Sequence, residues 1–174
     1  MATVEKSINV AVPVSTAYNQ WTQFTEFPSF MDHVLEVQQL DDRHLHWVAE
    51  IGGERQEWDA EIVEQRPDRV IEWRGTGAKR NAGRVEFAGE NGMTRVTLRM
   101  EYEPAGMKQR AGAALGLDAM GVEHDLERFK EMIESRGGET GAWRGEIHGG
   151  KAKPPLRDPL AEAESRNPLP PAAP

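Results

Sequence analysis

Residues 8–18 read Ile8-Asn9-Val10-Ala11-Val12-Pro13-Val14-Ser15-Thr16-Ala17-Tyr18, and Trp21 and Phe27-Pro28-Ser29-Phe30-Met31 follow. Ile8, Val10 and Val12 alternate with Ser7 and Asn9, the period-2 pattern of a half-buried strand, here 3–12. Pro13 cannot donate to a ladder and is tolerated at a helix start. Ser15 is the expected N-cap, and Ala17, Tyr18, Trp21 and Phe24 follow at helical spacing. Phe27–Met31 then reads as a second short helix or turn. The chain thus opens strand, proline, short helix, second short helix.

Downstream the pattern becomes strands with short turns. Expected strands are 34–40, 44–51, 55–65, 70–75, 82–88 and 94–102. Gly52-Gly53 and Asn91-Gly92 supply the positive φ of two-residue hairpins. No connection is long enough for a crossover helix, so the sheet is antiparallel. Leu45, Trp47, Trp58, Ala60, Ile62, Ile71, Trp73, Val85, Phe87, Val96, Leu98, Met100 and Tyr102 share the apolar face. The opposite face carries Glu57, Asp59, Glu61, Glu72, Arg84, Glu86, Arg95 and Arg99, which suits cross-strand pairing in water. After Pro104 a long helix is expected from Met107 to Ser135. Its stripe is Leu115, Val122, Leu126, Phe129 and Ile133. Gly112, Gly116 and Gly121 soften its first half, as close packing or a gate would require.

The fold class is therefore α+β: a seven-stranded antiparallel curved sheet wrapped around a long C-terminal helix, with two short helices after the first strand. A wide twisted sheet curls. One helix, about 10 Å across, leaves part of the concavity unfilled. That part is a small-molecule cavity. Three regions follow: a ligand-binding domain over 1–136, a glycine-rich transitional segment over 137–150 that holds Trp143, and a tail over 151–174. The tail contains seven of eleven prolines and no aromatic or β-branched residue, so disorder is expected there.

The 174 residues carry net charge -8, with no cysteine. That excludes disulfides, thiolate metal sites and cysteine nucleophiles. The acidity argues against nucleic acid as a partner. No stretch has the length and apolarity of a membrane span, and no apolar leader opens the chain, so a cytoplasmic location is expected. His44 and His46 share one strand face, which is expected to be solvated rather than metal-bound. Glu123, His124 and Asp125 read as a polar helix face.

The opening segment, Trp58-Asp59-Ala60-Glu61-Ile62 and the closing Leu126-Glu127-Arg128-Phe129-Lys130 resemble the START/Bet v 1-like helix-grip superfamily. Within it they resemble the polyketide cyclase/dehydrase and coenzyme Q-binding (Coq10-like) branch. The resemblance covers about residues 2–136. It implies a hydrophobic ligand (polyketide, isoprenoid quinone or lipid) held between sheet and helix. Cyclase members would place polar side chains near Ala60, Ile62 and Val34, which are apolar here. Binding without chemistry is the reading this favours. The alternatives are a polyketide aromatase/cyclase or dehydratase, and a protein-interaction module. Expected ligand-binding residues are Trp47, Trp58, Ala60, Ile62, Trp73, Phe87, Met100, Tyr102, Leu115 and Met120. His33 is the candidate acid or base. No cofactor or metal is expected.

Overall fold

The computed structural model describes residues 2–51, 53–77, 80–102 and 119–155. Strand β1 (Ala2–Val10) is followed by helix α1 (Val14–Trp21) and a 3-10 helix (Phe24–Ser29). Then come β2 (Val34–Gln39), β3 (His44–Ile51), β4 (Glu54–Arg66), β5 (Val70–Gly75), β6 (Asn81–Glu90) and β7 (Met93–Tyr102). Helix α2 (Ala119–Arg136) and the short strands β8 (Glu146–His148) and β9 (Lys151–Lys153) complete the described chain. Every pairing is antiparallel, in the order β1-β7-β6-β5-β4-β3-β2. The seven expected strands are all present, with ends shifted by a residue or two. Helix α1 begins at Val14 after Pro13, with no side-chain cap, so Ser15 lies inside the helix rather than capping it.

The inner face carries the core. Val10, Leu45, Ile62, Ile71, Val85, Val96 and Leu98 meet Tyr18, Trp21, Phe24, Phe27 and Phe30 from the N-terminal helices. Val122, Leu126, Phe129 and Ile133 of α2 close over them. Position along the sheet is set by polar pins on both flanks of α2. On one flank Lys130 Nζ donates to Asn9 O at 2.9 Å, and Ala11 N donates to Glu134 Oε1 at 2.7 Å. On the other, Asp32 pairs with Arg128 and with His124, the latter at 3.2 Å. Residues 107–118 of the expected helix, with Met107, Gly112, Leu115, Gly116 and Leu117, lie outside the described residues.

The outer face is charged, as the pattern requires. Arg84 spans three strands, reaching Glu64 at 3.3 Å and Glu86 at 2.7 Å and pairing also with Glu72. His46 Nδ1 is 2.7 Å from Asp59, which raises its pKa and leaves it turned to solvent. Among the described residues no His, Cys, Asp and Glu grouping suits a metal ion.

The expected tail boundary at 151 needs correction. Residues 146–153 form a hairpin turning on Gly149 and Gly150, at φ 56° and 75°, and β8 pairs with β4 through Glu64↔His148 and Gln65↔Ile147. Ile147 is fully buried. Composition missed this because a single isoleucine and a two-glycine turn hold the hairpin. The 137–145 segment folds back over α1: Trp143 N donates to Thr22 Oγ1 at 3.0 Å, and Arg144 reaches both Asn19 and Asp68. Residues 156–174, the rest of the tail, lie outside the described residues.

Candidate functional site

The inner face has two ends of different construction. At one end, where α1 and the 3-10 helix sit, rings meet edge to face. Trp21 lies 5.4 Å from Phe27 and 5.2 Å from Phe30, at 72° and 65°. Phe129 of α2 joins them, 5.3 Å from both Trp21 and Phe30. Tyr18 meets Phe87 at 5.5 Å and 81°. Phe87, expected in the ligand wall, therefore packs at this filled end, while the fully buried Ile62 lies opposite Trp73 in the β4–β5 ladder.

At the other end three indoles stack. Trp47 and Trp58 face each other across the β3–β4 pair, 5.9 Å apart and 8° from parallel. Trp73 of β5 lies 6.0 Å from Trp47 at 21°. Ala60, opposite Gly75 in the β4–β5 ladder, keeps the floor between them low. Trp47 and Trp73 are buried, while Trp58 is half-buried at the edge of the stack. Met100 and Tyr102 are half-buried on β7, opposite Gly83 and Asn81 respectively. Structure thus brings Trp47, Trp58, Ala60 and Trp73 together, with Met100 and Tyr102 further along the same face. Met120 is placed at the surface, 79% exposed. Leu115 lies outside the described residues. His33 is half-buried, and its carbonyl accepts from Glu50 N at 2.8 Å, fixing the β2 entry.

Two polar features escape simple reading of the sequence. Asp125, expected on a solvated face, is half-buried, three residues after Val122 and four before Phe129 on the inward stripe. Burial pushes its carboxyl up to about 7, against a small opposing pull from His124. A group at that value gives and takes protons near neutrality. The second feature is Gln65. A register shift between Ile62 and Glu64 turns the β4 alternation by one, so Gln65, 1% exposed, points inward opposite Ile71. It faces Tyr18, whose hydroxyl burial pushes up to about 12. That pair lies at the filled end, beneath the strap formed by residues 137–148, and Tyr18 keeps its proton at neutral pH.

A large antiparallel sheet with one helix packed on its inner face, and three near-parallel indoles at one end of that face, has the layout of a helix-grip fold. Comparison with known proteins agrees. Residues 10–130 match the family model for polyketide cyclase / dehydrase and lipid transport. The chain belongs to this family. It is 46% identical over 149 residues to an uncharacterized 17.2 kDa protein in the melC2-rnhH intergenic region of Streptomyces lincolnensis, covering 84% of this chain and 99% of that one. A crystal structure of DR_A0006 from Deinococcus radiodurans is 25% identical with TM-score 0.65, covering 78% of this chain and 99% of that one. The Zhui aromatase/cyclase from Streptomyces sp. R1128 is 14% identical with TM-score 0.61, covering 79% and 98%, and shares the fold. Among the described residues no helix is long and apolar enough to cross a membrane.

Proposed function

We propose that this chain binds a planar, conjugated, oxygen-bearing small molecule of polyketide type, seated against Trp58 at the stacked end of the grip. The observation that carries this reading is the near-parallel indole stack of Trp58, Trp47 and Trp73. Parallel rings prefer another flat ring as their next neighbour, with stacking contributing about 0.5–1.5 kcal/mol beyond area burial. An isoprenoid or acyl chain would gain nothing from the alignment. Trp47 and Trp58 Nε1 find no acceptor among the described residues. A buried donor without a partner costs about 1–3 kcal/mol, which a carbonyl or phenol oxygen on the ligand would recover. The family supports hydrophobic-ligand binding or polyketide cyclisation.

The test is a tryptophan-quenching titration with two probes of equal carbon count, a fused-ring aromatic ketone and a saturated acyl chain. The flat probe should bind the more tightly, and Trp58→Ala should weaken it by about tenfold or more. Equal binding of both probes, or no effect of the substitution, would refute the reading.

One observation favours an enzymatic version. Asp125 holds a carboxyl at about 7 on the inward flank of α2. Such a group can remove a proton from a carbon between two carbonyls and return it to a departing hydroxyl, the steps of aldol cyclisation and dehydration. Turnover of a poly-β-ketone that disappears in Asp125→Asn would establish this version. Binding alone would leave the chain a carrier.

A further inference from the structure

We infer that Gly83, which contacts no ligand in the reading above, is the positioning residue that sets the plane of the indole wall and thereby its preference for flat molecules. The inference rests on that reading and adds the residue that determines its specificity.

Gly83 stands where the backbone needs no glycine. Gly83 lies in the middle of β6, paired with Trp73 on one side and Met100 on the other, and its φ is outside the left-handed region. Glycine inside a strand weakens it by roughly 0.5–1 kcal/mol relative to alanine. What the missing side chain permits is the indole. A methyl at 83 would overlap Trp73 Cζ2 and Cε2 and stand 2.9 Å from Cη2. Trp73 therefore lies flat over the β6 backbone, with its benzo edge where a Cβ would be.

That seat fixes the rest of the wall in sequence. Trp73 is held from the other side by Phe27, 6.5 Å away, and Phe27 also lies 5.6 Å from Trp47. Trp47 stacks on Trp73, and Trp58 stacks on Trp47. Interiors are close-packed, so a ring displaced by one methyl displaces its neighbour. The chain of contacts runs Gly83, Trp73, Trp47, Trp58, from the backbone of β6 to the half-buried ring that meets the ligand. A side chain at 83 would tip Trp73 away from β6 towards Trp47 and break the parallel set.

Gly83→Ala in the full chain tests this with two readouts. One is the far-ultraviolet exciton couplet of the coupled indoles. The other is the ratio of affinities for the flat and acyl probes. We expect the variant to fold, to lose most of the couplet, and to lose about tenfold or more of the ratio. A variant that lowers only the melting temperature, with couplet and ratio intact, would overturn the inference. If Gly83→Ala does not fold, Trp73→Phe examines the same relay from its other side. A weaker Trp47–Trp58 couplet and a reduced ratio, with Trp58 itself untouched, support the relay. An unchanged couplet and ratio reject it. A wild-type chain that binds neither probe would sink the ligand reading alone. The couplet of Gly83→Ala would then still uphold or overturn the seating of the wall.

Discussion

Both ends of the grip are built from aromatic rings, yet they are built in opposite ways. Around Trp21, rings meet at 51–81° and surround one another on several sides. The three indoles Trp47, Trp58 and Trp73 lie within 8–21° of parallel, with Phe27 meeting Trp47 at 56°. Edge-to-face packing fills a volume in three dimensions and has no spare face. A stack grows along one axis and ends with a face open. The first arrangement is plain core; the second, continuous with that core, is the wall of the proposed ligand site. Ring count alone does not separate them; interplanar angle does.

The contrast can be broken most forcefully at Phe129, which is fully buried and contacts Trp21 and Phe30. Phe129→Ala should cost about 3–5 kcal/mol, measured by denaturant unfolding, because the edge-to-face cluster cannot collapse into the hole. A loss below about 1 kcal/mol would mean the filled end is as loose as the wall.

Asp125 sharpens the picture from the helix side. Its carboxyl ionises near 3.8 in the open chain and at about 7 when folded. Between those values the folded state keeps a proton that the unfolded state has released. Stability from this group is therefore complete below about pH 4 and declines as pH rises towards 7. The decline should be on the order of a few kcal/mol at most, reduced by the solvent that reaches the group. Asp125→Asn should flatten the stability profile in that window. A profile identical to wild type would place the carboxylate in water.

The smallest expected effect is on stability at the wall. Trp58→Ala should cost only about 1–2 kcal/mol, well under the truncation range for a buried tryptophan, since the residue is only half-buried. A loss equal to that of Phe129→Ala would show that the plate is ordinary core.

The fold was legible because its decisive signals are local and periodic. Val10–Pro13–Tyr18 announces strand, break and helix, and the even-numbered stripe Trp58, Ala60, Ile62 announces the inner face of β4. What stayed hidden depends on interruptions of period or on distance in sequence. The register shift after Ile62 flips Gln65 inward, and no alternation rule shows it. The β8–β9 hairpin is held by Ile147 against a strand some eighty residues earlier. Phe87 shares its parity with the wall but faces α1, because parity names a face and not an end. Asp125 follows the exposed Glu123 and His124, and its burial comes from the stripe Val122–Leu126–Phe129. Gly83 shares the inner-face parity of Val85 and Phe87. That it makes room for Trp73 required the ring's orientation.

The strap over the filled end has a consequence in time. Ile147 pairs with Gln65, Arg144 reaches Asn19, and Trp143 reaches Thr22. β1 likewise waits for β7, since Ala2 pairs with Tyr102. Part of what secures the N-terminal helices, Phe129 of α2 and the strap, is made only after the first half of the chain has emerged from the ribosome. Such long-range closure places the protein among slow folders. Until Phe129 and the strap are made, part of the apolar surface of α1 and the 3-10 helix stays uncovered, a surface that whatever shields hydrophobic segments at the ribosome exit can recognise.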